Sequence, residues 1–168
     1  MHYFLTILLI MTTTSAMAQS GKASTIKKTF SRETAVNIDI RADAPIIWAL
    51  LTHAADYPRW NTTITSLEGE IKLGEKIRLK STLDEKRVFK LKVKEYEPEK
   101  RLVWGDGKGS RVFTLKPLDG GGIQFHMTEK IGGIMFPLYA KYIPSFDESF
   151  EQFAADLKKE AEAIQRAK

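Results

Sequence analysis

The sequence contains no cysteine, which excludes disulfides, thiolate nucleophiles, lipid anchors carried on cysteine and cysteine-ligated zinc. Histidine is scarce. His2, His53 and His126 share no metal-ligand spacing, and there is no H-E-x-x-H helix motif. The G-x-S-x-G turn that presents a nucleophilic serine is also missing. A helix needs roughly 20 apolar residues to cross a bilayer, and the apolar stretch at residues 4–11 is far shorter. Excess charge is slight, 26 Lys and Arg against 21 Asp and Glu for a net charge of +5, too little to imply a nucleic-acid partner. What is present is ordinary for one globular domain: 168 residues, 43% hydrophobic and 28% charged, enough to build a core and an internal cavity.

The apolar stretch at residues 4–11 has the length of a signal-peptide core. Ala16 and Ala18 supply the small residues at −3 and −1 of a cut after Ala18. Residues 1–18 are therefore read as a signal peptide, and the protein as exported to a periplasm or the exterior. Residues 19–30 are polar, small and basic, the composition of a flexible leader. Residues 31–168 are the folded domain.

In that domain the hydrophobic period is two, then 3.6. Val36, Ile38 and Ile40 alternate with Asn37, Asp39 and Arg41, as in a half-buried strand. Asp43-Ala44-Pro45 opens a short apolar helix, with proline in the first turn where its missing N–H costs nothing. A second helical turn is expected near Tyr57-Pro58-Arg59-Trp60. From residue 64 to residue 130 alternation returns in segments separated by short polar turns, a pattern that predicts antiparallel hairpins. One such turn is placed at Asp84-Glu85-Lys86, and Gly105-Asp106-Gly107-Lys108-Gly109 reads as another: it lacks the Gly-Lys-Ser/Thr ending and the following helix of a phosphate loop. After Gly132-Gly133, Tyr139, Ile143, Phe146, Phe150, Phe153, Leu157, Ala161 and Ile164 recur at threes and fours. Pro144 either kinks this helix or makes it restart at Ser145, where Ser145 and Glu148 have capping-box spacing. A sheet needs a cover for its apolar face, and this helix supplies one. The expected fold is α+β: a curved antiparallel sheet of about seven strands wrapped around a long C-terminal helix, with two short helices after the first strand.

The same residues resemble the SRPBCC superfamily (START-like, polyketide cyclase-like). The resemblance is carried by Ala44-Pro45-Ile46-Ile47-Trp48-Ala49-Leu50-Leu51, Asp56-Tyr57-Pro58-Arg59-Trp60-Asn61, Tyr96-Glu97-Pro98-Glu99-Lys100-Arg101-Leu102-Val103-Trp104, Phe125-His126-Met127-Thr128-Glu129 and the helix from Phe150 to Glu162. It implies a helix-grip fold with a cavity between sheet and C-terminal helix. The superfamily includes hydrophobe carriers, cyclases and hydroxylase subunits, so it implies a fold more narrowly than a function.

Strand phase turns Leu79, Phe89, Leu91, Trp104, Phe113, Phe125 and Met127 toward that cavity, with Tyr139, Phe146 and Phe150 closing it from the helix and Trp60 at one end. These are the expected ligand-binding residues, for a small apolar or amphipathic, lipid-like molecule. Glu129 and Asp106 share the inward phase and are the weak acid–base candidates should the protein be a cyclase- or dehydratase-type enzyme. A core filled by its own side chains would instead make it an interaction module. No metal or cofactor is implied, and a monomer is expected. Nine Lys and Arg against three acids lie between Lys72 and Lys94. Of these, Arg78, Lys80, Lys90, Lys92 and Lys94 share the outward phase, as a solvated face or a weak contact for an anionic membrane. Aromatics are not interleaved there, which argues against nucleic-acid stacking.

Overall fold

In the computed structural model, which describes residues 21–168, the alternating segments form one eight-stranded, curved antiparallel sheet. The proposed signal peptide lies outside the described residues. The strands are β1 (Ala23–Lys28), β2 (Ser31–Ile40), β3 (Ile64–Glu68), β4 (Lys76–Ser81), β5 (Asp84–Glu97), β6 (Arg101–Gly105), β7 (Gly109–Pro117) and β8 (Ile123–Gly132). Their order across the sheet is β1-β2-β8-β7-β6-β5-β4-β3, antiparallel at each step. Chain neighbours pair as hairpins except β2 and β3, which stand apart because β8 returns to pair with β2. Helices α1 (Ala44–Thr52) and α2 (Tyr57–Trp60) connect β2 to β3, α3 (Phe136–Tyr139) follows β8, and α4 (Asp147–Arg166) ends the chain.

Three details differ from the sequence reading. Residues 23–28, expected in a flexible leader, are edge strand β1, in register with β2 from Ala23↔Val36 to Lys28↔Ser31. Polar composition hid this strand because an edge strand buries little: of its residues only Ala23 and Thr25 are partly covered. Second, Asp84-Glu85-Lys86 is not a turn; β5 already begins at Asp84, and the chain reverses at Thr82-Leu83 beside a register shift. Third, of the two courses expected at Pro144 the chain takes the restart, at Asp147 rather than Ser145. Proline cannot donate a helical N–H, and the chain passes through α3, a 3₁₀ turn at Ala140–Tyr142 and an extended segment around Pro144 before α4 starts. The capping box does not form, because Ser145 Oγ bonds Asp147 Oδ2 at 3.0 Å instead.

The core lies between the concave sheet face and α4. Phe150, Phe153, Ala154, Leu157 and Ala161 are the buried side of that helix. Its polar side chains tie it to the sheet and loops. Glu151 accepts from Ala23 N–H (3.0 Å), Glu162 from Arg41 N–H (2.9 Å) and Asp156 from both the N–H and hydroxyl of Thr62, while Lys158 Nζ donates to Asp39 O. Buried Asn61 holds the entry to β3, its Oδ1 accepting from Thr63 N–H, Thr63 Oγ1 and Ile64 N–H.

Phase is respected on the outer face as well. Arg78, Lys80, Lys90, Lys92 and Lys94 are all exposed, but Arg78 pairs with Glu68 at 2.5 Å, and Lys94 donates to Asp106 O and Ser110 Oγ. His126 is turned away from Phe125 and Met127, as expected, and is half-buried. Burial pulls its pKa below the ordinary 6.5, Lys116 adds to that, and Glu33 opposes both. A depressed histidine favours the neutral imidazole in the fold, so its contribution is complete above the unfolded pKa and is lost as pH falls through the folded value. Urea midpoints should therefore decline below about pH 6.5, and His126→Gln should flatten that acid limb. An identical acid limb in the variant would contradict this assignment.

Candidate functional site

The space between sheet and helix is filled at one end and open at the other. Under the middle of α4, Phe153 makes ring contacts with Tyr57, Trp60, Phe113 and Phe125 at centroid distances of 5.7–6.3 Å. Met127 is fully buried in the same cluster. At the other end a cavity of about 230 Å³ opens between β4–β7 and the segment from Tyr139 to Ser149.

The eleven expected ligand-binding residues divide along this line. Leu79, Phe89, Leu91, Trp104, Tyr139 and Phe146 line the cavity. Trp60, Phe113, Phe125, Met127 and Phe150 do not; they pack against one another and against α4. The physical reason is Phe153, whose ring fills the space between Trp60, Phe113 and Phe125. Phe150 is 1% exposed and stacks on Phe146 at 6.1 Å, so Phe146 links the closed core to the cavity wall.

Glycine permits the rim. A Cβ on Gly105 would lie 2.2 Å from the Gly109 carbonyl oxygen, so only glycine lets the β6–β7 hairpin close and set Lys108 and Ser110 at the mouth. Asp106 lies on this rim, exposed, with Oδ1 accepting from the N–H groups of Lys108 (2.7 Å) and Gly109 (2.9 Å). Its carboxylate caps the turn.

Glu129 is in the cavity wall, as its phase predicts, and is paired across the β7–β8 register with Arg111. Arg111 donates through Nε at 2.6 Å and Nη2 at 2.5 Å, both to Oε2, and its guanidinium lies 5.1 Å from the Phe150 ring centroid. The two side chains are only 14% and 18% exposed. Starting β7 at Val112 conceals Arg111; one step earlier in the same alternation, Arg111, Phe113 and Leu115 all face inward. Because removing one partner leaves the other largely covered and unpaired, Glu129→Gln should lower stability by about 1–3 kcal/mol in urea unfolding. A change below about 0.5 kcal/mol would mean the pair is solvated like a surface bridge.

The outer wall is held by Arg32. Its guanidinium donates to Ile143 O (3.2 Å) and Pro144 O (2.7 Å) and covers the Phe146 ring at 4.7 Å. Burial lowers its pKa from the ordinary value, with Asp147 and Glu129 opposing. Sequence phase places Arg32 inward with Thr34 and Val36, but a partner made of backbone carbonyls leaves no pattern to read. Among the described residues no three His, Cys, Asp or Glu side chains gather as a metal site, and no helix is long and apolar enough to cross a membrane.

No curated protein matches the sequence. Solved structures share the fold. A Rhodobacter sphaeroides protein is 21% identical, covers 87% of this chain and 99% of its own, and has a TM-score of 0.60. A START superfamily protein from Mycobacterium smegmatis is 17% identical over 79% of this chain and 98% of its own, with a TM-score of 0.58. DynU16, from the dynemicin biosynthetic locus, is 16% identical over 79% of this chain and 48% of its own, with a TM-score of 0.59. The model of the family described as Activator of Hsp90 ATPase homolog 1-like protein matches residues 41–162. That span runs from the end of β2 through nearly all of α4, and the chain belongs to this family, within the START-like SRPBCC superfamily.

Proposed function

We propose that this protein is an exported binding or carrier protein for a small amphipathic molecule, held in the cavity beside Trp104. The observation that carries the reading is the division of the interior. Five large side chains close the core completely, yet Leu79, Phe89, Leu91, Trp104, Tyr139 and Phe146 surround unfilled space. The open cavity sets these apolar side chains beside polar ones at its rim, a lining suited to an amphiphile. At about 230 Å³ it is below the ~300–1,000 Å³ of drug-sized sites, so the guest is a short acyl chain or a one- or two-ring compound rather than a two-chain lipid. Ser110 and the Arg111–Glu129 pair supply the polar contact that an amphiphile needs at one end. Burying ~200 Å² of apolar guest contributes ~5 kcal/mol before ordering costs, which together with the polar contacts at one end sets an affinity in the submillimolar range.

Both inward carboxylates already serve internal bonds, Asp106 in a turn cap and Glu129 in an ion pair, and this favours binding over acid–base chemistry. The test is organic extraction and mass spectrometry of protein from its native host, followed by titration of the apoprotein with medium-chain fatty acids and aromatic acids through Trp104 emission. Saturable binding supports the carrier. Turnover by wild type that Glu129→Gln abolishes would move the reading to a cyclase- or dehydratase-type enzyme, and no binding below millimolar would move it to an interaction module.

Export is the second part of the proposal, resting on the apolar stretch and the Ala16-x-Ala18 site. N-terminal sequencing of the protein from its native host should begin at Gln19. An intact Met1 in a soluble cytoplasmic fraction would contradict it.

A further inference from the structure

The segment between β8 and α4 leaves four large apolar side chains outside. Ile134 is 87% exposed, Met135 61%, Leu138 66% and Tyr142 74%, while Phe136 and Phe146 are buried and Tyr139 and Ile143 turn to the cavity wall. This is not scattered exposure, because Phe30 (57% exposed) in the β1–β2 turn joins them: Gly133 N–H donates to Phe30 O at 3.0 Å. The β6–β7 turn reaches the same place, with Gly132 N–H donating to Lys108 O at 3.0 Å and the Lys108 ammonium 5.4 Å from the Tyr139 ring. A contiguous cluster of exposed large hydrophobic residues on one end of a domain marks an interaction surface.

The charges around it are mainly positive, with Asp147 the one acid lining the groove. Lys27, Lys28 and Lys141 line a groove beside Phe136 and Ala140, and Lys108 flanks the other side. Among the described residues none of these four lysines forms an ion pair. The acids near them are engaged internally: Asp147 accepts from Thr25 and Ser145, and Asp106 caps its turn.

We infer that this end of the molecule docks onto an anionic lipid bilayer, with Phe30, Ile134, Met135, Leu138 and Tyr142 entering the interface and Lys27, Lys28, Lys108 and Lys141 meeting the headgroups. The charge pattern selects this occupant. A second copy seated on the same face would set lysines against lysines, whereas an anionic bilayer satisfies both the apolar tip and its cationic collar. The basic patch on the outer sheet face lacks the apolar tip, and Arg78 there is already paired. The docking face borders the cavity, since Tyr142 and Ile143 belong to its wall. The surface does not depend on the carrier reading, and ligand titration in vesicle-free solution tests that reading separately.

The experiment is co-sedimentation of the full chain with phosphatidylcholine vesicles containing 0 or about 25% phosphatidylglycerol, so that any contribution from residues 1–20 is common to every variant. Met135→Asp/Leu138→Asp should reduce partitioning on the order of tenfold. Lys27→Glu/Lys28→Glu/Lys141→Glu should reduce it on the order of a hundredfold and abolish the dependence on phosphatidylglycerol, since each lysine near the surface is worth roughly fivefold. Lys80→Glu/Lys90→Glu/Lys92→Glu should retain most of the wild-type partitioning. A tryptophan introduced as Leu138→Trp should be quenched by brominated phosphatidylcholine in the anionic vesicles. The altered side chains are exposed, and circular dichroism of each variant verifies the fold. Unchanged binding of the Met135/Leu138 variant, or an unquenched Trp at position 138, would overturn the inference. So would concentration-dependent dimerisation that this variant abolishes, which would give the face to a second copy.

Discussion

Phe153→Ala is expected to destabilise the domain by about 3–5 kcal/mol, the cost of deleting a buried aromatic ring and leaving most of its volume empty. Phe153 is 1% exposed. It touches two rings from the helices, Tyr57 and Trp60, and two from the sheet, Phe113 and Phe125. Its neighbours cannot collapse onto the gap without moving α4 against the strand and loops to which Asp156, Lys158 and Glu162 bind it. Since domains of this size carry only about 5–15 kcal/mol of net stability, urea unfolding should show a large fall in midpoint with little change in slope. A loss below about 1.5 kcal/mol, the range of volume-conserving changes, would mean that the helix does not hold the core as described.

The second large effect concerns the open end. Leu91 is half-buried and lines the cavity, so Leu91→Trp fills the void without disturbing the packed cluster. If the larger ring displaces half of a guest's ~200 Å² contact, ~2.5 kcal/mol is lost, close to a seventyfold weakening. The variant should be at least as stable as wild type, because the ring takes the place of the ligand. Met127→Trp provides the contrast. Met127 is fully buried away from the cavity, so enlarging it overpacks the core, costing about 1–3 kcal/mol. Fluorescence titration and urea unfolding of both variants separate the effects. Equal ligand affinity in Leu91→Trp and wild type would place the guest elsewhere.

What the sequence made legible follows the strength of its periodicity. Alternation from Val36 to Ile40 and from Phe113 to Met127 assigns sides correctly because each residue of those strands is either sealed against α4 or left outside. The order of strands, short helices and covering helix, together with the family motifs, was enough for the fold. Edge strand β1 was not legible, since its hydrogen bonds are to backbone and its side chains stay mostly wet. Nor was the split of the interior. Phase says that Phe89 and Phe113 both face inward, but it does not say which half Phe153 fills. Arg111 was readable in principle, as the residue directly opposite Glu129. The exposed Ile134, Met135, Leu138 and Tyr142 lie outside the helix stripe expected from Tyr139 onward, so its periodicity carries no signal of them.

The central claim is that the cavity beside Trp104 takes a small amphiphile. Methyl-resolved NMR during titration with a medium-chain fatty acid tests it most directly. The prediction is saturable shifts concentrated at Leu79, Leu91 and Ile143, which line the cavity, with Leu157 and Ile47 in the closed core unmoved. No saturable shift up to millimolar ligand, or shifts spread evenly over core and surface methyls, would contradict it.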